Sequence, residues 1–211
     1  MSFNAGLEAY QSGDIQQALL LWASAAEQGD VRAQYNLAVI YDSGEWVEKN
    51  SWEAAMWYRK AAEQGFADAQ FNLALMMVAG ELMQGDITEA AYWYQQAAQQ
   101  GHVDAQFNLA QMYSEGRGVR QDYAAAVQLY RMAAGQGHAL AANNLGIRYA
   151  LGQGVEADDM QAYMWFNNAV ELGDALAVRH RERVALQLNE AGIVEAGRQS
   201  ATWLQQYRRL D

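Results

Sequence analysis

Small and aromatic side chains recur along the chain with the spacing of an amphipathic helix. Between residues 30 and 42 they fall at i, i+4, i+5 and i+8, on one helix face: Ala33, Leu37, Ala38 and Tyr41. A second stretch follows after a polar connection: Ala54, Trp57, Tyr58 and Ala61. The pattern predicts two consecutive helices, each with one apolar face, that pair as a hairpin.

The hairpin pattern returns every 36 residues. Glycines mark the period, and Gly173 continues it: Gly29, Gly65, Gly101 and Gly137. The four 36-residue blocks that start at Ala25 align without a gap, and nine of their columns are identical. One hairpin cannot bury its apolar face alone, whereas stacked hairpins can. The sequence therefore predicts an all-α fold, a right-handed α/α solenoid of antiparallel helix hairpins that forms a single domain over residues 1–211.

Capping residues predict where the helices begin and end. Glycines end the first helix of each repeat: Gly44, Gly80, Gly116 and Gly152. Good N-cap residues open the second helix: Asn50, Asp86, Asp122 and Asp158. Residues 1–28 are predicted to form a shortened hairpin, 29–172 four repeat units, and 173–211 the C-terminal capping helices. Of these last helices, one covers 174–187 and the other begins near Asn189.

The amino-acid composition indicates the cellular compartment of the protein. The chain has no cysteine, so it has neither a disulfide framework nor a thiolate metal site. Its first eight residues lack the basic and apolar regions of a signal peptide, and no run of about 18 apolar residues occurs. These features favour a cytoplasmic protein, although a secreted protein whose leader had been removed would look the same.

Charge is distributed unevenly along the sequence. The formal net charge is −11, with −13 in residues 1–178 and +2 in residues 179–211. An acidic body repels phosphate backbones, which disfavours DNA and RNA as partners. It would instead attract a basic partner. The alternative is that the charge only keeps an alanine-rich repeat protein in solution.

Three segments of one copy resemble a known repeat: residues 105–113 (AQFNLAQMY), 116–122 (GRGVRQD) and 130–134 (YRMAA). They are similar to bacterial Sel1-like repeats, relatives of the tetratricopeptide repeats with a unit of about 36 residues. The resemblance covers essentially the whole chain and implies a helical scaffold that assembles protein complexes, since members share an architecture more than an activity. Some secreted members carry cysteine pairs, and a few of those have been linked to β-lactam binding or hydrolysis. The absence of cysteine separates this chain from them.

Two loops depart from the pattern of that family. The usual Gly-Val step is present at residues 118–119 and 154–155, whereas Trp46 and Leu82-Met83 put large side chains in the same place. We expect these two connections to adopt a different turn or to cover another part of the chain.

The sequence carries no enzyme signature. It lacks a G-x-S-x-G elbow, a Walker-type phosphate loop, an H-E-x-x-H helix and an EF-hand loop. His102 and His138 share one column, but residues a whole repeat apart do not reach one metal ion. A solvated or capping role is expected for both. We therefore expect no catalytic residue, no cofactor and no metal site.

The most promising candidate surface is on the first helices, which line the concave surface in tetratricopeptide-like stacks. Asparagine amides can donate to and accept from a peptide backbone, and aromatic rings add contact area at low entropic cost. The predicted protein- or peptide-binding residues are Arg32, Tyr35, Asn36, Asp68, Phe71, Asn72, Asp104, Phe107, Asn108, Asn143 and Asn144. A further column that varies between copies is suited to partner specificity: Val39, Leu75, Gln111 and Ile147.

A structural role for the same residues is the alternative, in which each asparagine bonds the neighbouring hairpin and each ring packs between repeats. The leading hypothesis is an adaptor that binds a peptide segment or a small domain, basic in character, in the concave groove. The second is an inhibitor or immunity protein that neutralises a cationic toxic effector. A hydrolase acting on β-lactams is the third.

Overall fold

The computed structural model describes residues 3–82 and 86–207. The helices in these stretches are α1 (Phe3–Gln11), α2 (Ile15–Glu27), α3 (Val31–Ser43), α4 (Ser51–Glu63), α5 (Ala67–Ala79), α6 (Ile87–Gln99), α7 (Val103–Glu115), α8 (Tyr123–Gly135), α9 (Ala139–Leu151), α10 (Asp159–Glu171), α11 (Ala177–Ala185) and α12 (Glu190–Tyr207). The described residues contain no β-strand. The predicted all-α repeat fold is confirmed. Within the same residues, no helix has the length and hydropathy needed to cross a membrane.

Capping residues fix the ends of the repeated helices, as predicted. Each helix from α3 to α10 has 13 residues. Asn50 caps α4 by accepting hydrogen bonds from the backbone N–H groups of Trp52 and Glu53, both at 3.1 Å. Gly44 and Gly152 end α3 and α9 with φ angles of 67° and 63°, a region that favours glycine.

The helices form two compact units. The N-terminal unit, Met1–His102, holds α1 to α6, and the C-terminal unit, Val103–Asp211, holds α7 to α12. Within each unit neighbouring helices pack on one another around alanine columns, of which Ala54 and Ala126 are 0% exposed. Alanine allows helix axes to approach to about 8–10 Å. A single solenoid domain over residues 1–211 remains a prediction.

A buried glutamine near the start of α3, α5 and α7 links each of these helices to its neighbours. The Nε2 group of Gln34, which is 4% exposed, donates to the Ala26 carbonyl oxygen at 3.0 Å. Its Oε1 atom accepts from Gln64 Nε2 at 2.8 Å. The 30-residue pairing recurs one and two repeats later, at 2.8 and 2.9 Å: Gln70 with Gln100 and Gln106 with Gln136. These bonds satisfy amides that the repeat buries.

The loops between first and second helices differ as their sequences predict. Gly154 has a φ of 77°, and a Cβ there would meet the carbonyl group of Tyr123 in the preceding hairpin. In the same loop position, Trp46 packs edge-on against Tyr10 with ring centroids 6.1 Å apart. Trp46 therefore covers the shortened first hairpin. The other departing loop, at Leu82-Met83, lies partly outside the described residues.

The C-terminal helices differ in length from the repeated ones. The helix predicted over residues 174–187 is shorter in the structure, where α11 spans Ala177–Ala185. The chain enters and leaves α11 through i→i+3 turns, such as the one in which Ala177 N–H donates to Asp174 O at 3.2 Å. Helix α12 begins as predicted after Asn189, whose Oδ1 accepts from Gly192 N–H at 2.8 Å. It packs on α10, where the Ser200 hydroxyl donates to buried Asn168 Oδ1 at 2.6 Å.

Candidate protein-binding site

The first helices of the N-terminal unit expose a face of mixed chemistry. Residues at i, i+4 and i+7 lie on one side of a helix, and on α3 and α5 these are Arg32, Asn36, Val39, Asp68, Asn72 and Leu75, which we name the first-helix face. Arg32 and Asp68 are exposed, and the apolar Val39 and Leu75 are 36% and 44% exposed. Asn36 and Asn72 are half-buried between them. The face therefore offers charged, amide and apolar groups together.

The predicted aromatic residues lie beside this face and pack between hairpins. Phe71 contacts Tyr94 with ring centroids 5.8 Å apart and stacks on His102 at 4.4 Å. Tyr35 lies in the same way between Tyr58 and Phe66. In the C-terminal unit, the ring centroid of Phe107 is 4.4 Å from that of His138. All three predicted rings are half-buried, so packing occupies one side of each and leaves an edge accessible.

The asparagine column also has partners inside the protein. Asn72 Nδ2 donates to the Tyr35 hydroxyl at 3.5 Å. Burial raises the pKa of Tyr58 above its usual range, and a hydrogen bond with Asn72 acts in the opposite direction. Asn144 is hydrogen-bonded to Tyr130 in the C-terminal unit, where Asn108 is half-buried. Because an amide offers two donors and two acceptor positions, these bonds leave capacity for a peptide backbone.

Asn143 differs from the rest of the predicted set. It occupies the column filled elsewhere by Tyr35, Phe71 and Phe107, yet it is only 7% exposed. Its Oδ1 atom lies 2.8 Å from Nδ1 of His180. Asn143 therefore belongs to the interior of the C-terminal unit and orients a histidine of α11.

Acidic residues of the first helices pair with histidines one repeat later. Asp68 Oδ1 lies 3.6 Å from His102 Nε2, and Asp104 Oδ1 lies 3.5 Å from His138 Nε2. The carboxylate side chains remain 56% and 60% exposed. His138 also caps α9, since its Nδ1 accepts from the backbone N–H of Ala141 at 3.1 Å. The capping role expected for this histidine is confirmed.

We expect His138 to make folding stability depend on pH. Burial lowers its pKa below the ordinary histidine value of about 6.5, and Asp104 acts in the opposite direction. The folded chain therefore prefers the neutral imidazole that caps α9. Its contribution to stability should be complete above about pH 6.5 and should be lost as the pH falls through the lowered folded-state value. Urea denaturation between pH 7.5 and 5.5 measures this loss.

The control for this pH dependence is His138→Asn, which keeps an N-cap acceptor but does not titrate. The variant should lose less stability than the unmodified chain over the same pH interval. Parallel stability profiles for the two proteins would show that the protonation of His138 is not responsible.

The repeats seen in the structure are recognised by a family model. The Sel1 repeat matches residues 3–30, 31–66, 67–102, 103–138 and 139–174. The chain belongs to the Sel1 repeat family. Sel1 repeat proteins are protein-interaction scaffolds, and this role fits the exposed face of mixed chemistry described above.

Two solved structures are similar to this Sel1 repeat chain. A protective antigen of uropathogenic Escherichia coli strains, which displays an SLR fold, is 35% identical with a TM-score of 0.83 over 97% of this chain and 45% of the antigen. A Sel1 repeat protein from Oxalobacter formigenes is 33% identical with a TM-score of 0.76 over 96% of this chain and 83% of that protein. The chain thus spans less than half the length of the antigen. No curated protein matches it.

The sequence of this Sel1 repeat chain predicts the acidic residues of the candidate site but not their histidine partners. Asp68 and Asp104 are among the predicted binding residues, whereas only a solvated or capping role is expected for His102 and His138. The constant separation of 34 residues within each pair was the available signal. It places each histidine at the start of the following hairpin, beside the first turn of the preceding first helix.

Proposed function

We propose that this chain is a protein-interaction scaffold whose first-helix face binds a peptide segment or a small domain with basic character. The observation that carries the proposal is the coexistence of Val39 and Leu75, both exposed, with the exposed carboxylate of Asp68 on two neighbouring first helices. Exposed apolar groups contribute affinity when a partner covers them. Nearby amides fix an extended backbone.

The charge distribution supports a basic partner. The N-terminal unit contains 13 acidic and 4 basic side chains, a net charge of −9, whereas the C-terminal unit contains 12 and 10, a net of −2. The acidic unit is thus the one that carries the first-helix face. Long-range attraction of this kind raises association rates and weakens with salt.

In the C-terminal unit, Asp104, Phe107, Asn108 and Asn144 occupy the columns that form or border this face on α3 and α5. We include them in the proposal as a second stretch of binding residues. Asn143 is left out because it is buried against His180.

The test begins with a random peptide library displayed on phage and selected on the immobilised full chain. Enriched peptides should combine Lys or Arg with apolar residues, and their affinity by calorimetry should fall as salt is raised. The double variant Val39→Ser/Leu75→Ser should weaken binding at least tenfold, about 1.4 kcal/mol. A second variant, Asn72→Ala/Asn108→Ala, should also weaken binding while melting stays nearly unchanged.

Leu20→Ser is the matched control, since Leu20 is an apolar residue of the second helix α2 that is 67% exposed. It should leave peptide affinity unchanged. Peptides that bind the Val39→Ser/Leu75→Ser chain as tightly as the unmodified chain would refute the proposed face. A collapse in melting of the Asn72→Ala/Asn108→Ala chain would assign the asparagines to packing alone.

A further inference from the structure

An apolar cleft of about 380 Å³ opens between α9, α10 and α11 in the C-terminal unit. Ile147 and Leu151 of α9, Phe166 of α10 and Val184 of α11 line it. Small-ligand sites have volumes of about 300–1,000 Å³ and mostly apolar walls with a few placed polar groups. The cleft has the size and lining of such a site.

The last first helix is short. Helix α11 has 9 residues where α9 has 13, so it begins two residues later and ends two residues earlier than a full repeat of α9 would, and Gln187, just past its end, lines the cleft. The exposed stretch is apolar where α7, one repeat earlier, is polar: Ile147, Ala150 and Leu151 replace Gln111, Ser114 and Glu115. Leu151 remains 60% exposed, so packing within the described chain does not account for its apolar side chain.

Histidine 180 places one oriented hydrogen-bonding group in this cleft. Its Nδ1 atom lies 2.8 Å from Oδ1 of the buried Asn143, and its ring lies 5.3 Å from the Phe166 ring. An amide oxygen only accepts hydrogen bonds, so in the neutral ring Nδ1 carries the proton and Nε2 is left as an acceptor. The Asn143 contact therefore prepares His180 to accept an N–H or O–H group from a ligand.

Arg183 supplies a cation one helical turn further along α11, and it is exposed at the edge of the same cleft. Residues at i and i+3 lie about 5–6 Å apart on a helix surface. Asp159 also lines the cleft and would repel an anion close to its own carboxylate. A ligand that carries an anionic group with a hydrogen-bond donor next to it therefore fits this cleft. Its anionic group would lie beside Arg183 and its donor would face His180.

We propose that this cleft binds the C-terminal residue of a partner peptide whose last side chain is large and apolar. A peptide C-terminus carries the three required features within one residue. Its carboxylate pairs with Arg183, its backbone N–H donates to His180 Nε2, and its side chain enters the apolar cleft beside Leu151. A Lys or Arg earlier in the peptide would fit beside Asp159. The site is independent of the first-helix face proposed above.

The test uses the full chain and a fluorescein-labelled peptide that ends in Lys-Gly-Leu with a free carboxylate. Fluorescence polarisation should show saturable binding. The same peptide with a C-terminal amide, or with Ser as its last residue, should bind at least tenfold more weakly. Arg183→Gln and Leu151→Glu should each reduce affinity at least tenfold; Leu151→Glu introduces the residue that α7 carries at this position.

Arg179→Gln is the matched control, because Arg179 is an exposed arginine of α11 that does not line the cleft. It should leave affinity unchanged, and circular dichroism should show the same melting for all variants. Equal affinity of the free and amidated peptides would overturn the proposal, as would equal effects of Arg183→Gln and Arg179→Gln. Octanoate that binds as tightly as the peptide would also overturn it and assign the cleft to free apolar carboxylates.

Discussion

Replacing Gly154 with alanine is expected to lower the free energy of unfolding by about 3–5 kcal/mol, combining backbone strain with overpacking. The φ of 77° at this glycine costs an L side chain strain energy, and the added Cβ would meet the Tyr123 carbonyl group and lie 2.6 Å from the Ala124 nitrogen. These neighbours are main-chain atoms at the start of α8 and cannot move aside by a change of rotamer. Thermal denaturation should show a melting temperature lower by roughly 10 °C.

Gly173→Ala is the control that separates strain from collision. Gly173 lies in the same unit with a φ of 107°, and no described atom lies within 4 Å of the position its Cβ would take. Its backbone strain should be at least as large as that of the Gly154 variant, because its φ is further from the left-handed minimum. Gly154→Ala is nevertheless expected to lose more stability than Gly173→Ala, and an equal or smaller loss would contradict the prediction that the collision with α8 dominates.

The second large effect is expected for Tyr94→Ala, at about 3–5 kcal/mol. Tyr94 is 1% exposed, and its ring fills the space between α6 and Phe71 of α5. Removing the Tyr94 ring leaves a cavity that the small alanine side chains around it cannot fill. In a repeat protein the damage should be greatest in adjacent helices. Hydrogen exchange should therefore increase more in α5 and α6 than in α10.

Tyr94→Phe keeps the ring and removes only the hydroxyl, so it should cost about 0.5–1.5 kcal/mol. A comparable loss in the two variants would show that the hydroxyl, and not the volume of the ring, determines the stability of this core. Uniform exchange along the chain in the Tyr94→Ala variant would contradict local unfolding.

The fold was predictable because identical residues make equivalent packing contacts in each copy of the repeat. Ala54 and its equivalents allow close helix contact, and Asn50 and Gly44 mark helix ends through local backbone chemistry. Such signals depend on neighbours in the sequence. The length of α11 was overestimated, since the i→i+3 turns at its two ends follow from contacts of residues such as Asp174 that no periodicity reveals.

The candidate site was less predictable, because one column can serve packing in one copy and recognition in another. The rings at Tyr35, Phe71 and Phe107 are half-buried, while Asn143 in the same column is buried. The partner of Asn143 is His180, which lies 37 residues further along and outside the repeated pattern. The contact between Asn143 and His180 follows from the three-dimensional arrangement of the last helices, so the repeat pattern could not predict it.

The glutamine pairs have a consequence for how such a gene can change length. The buried Gln34 and Gln70 each bond a carbonyl oxygen 8 residues before them and a second glutamine 30 residues after them: Ala26 and Gln64 for Gln34, and Ala62 and Gln100 for Gln70. An in-frame duplication or deletion of 36 codons among the three copies that carry these pairs replaces each partner with an equivalent residue, whereas the fourth copy has Ala142 in the glutamine column. Unequal recombination among these copies can therefore change the number of repeats and keep the glutamine bonds, provided that the terminal hairpins are retained.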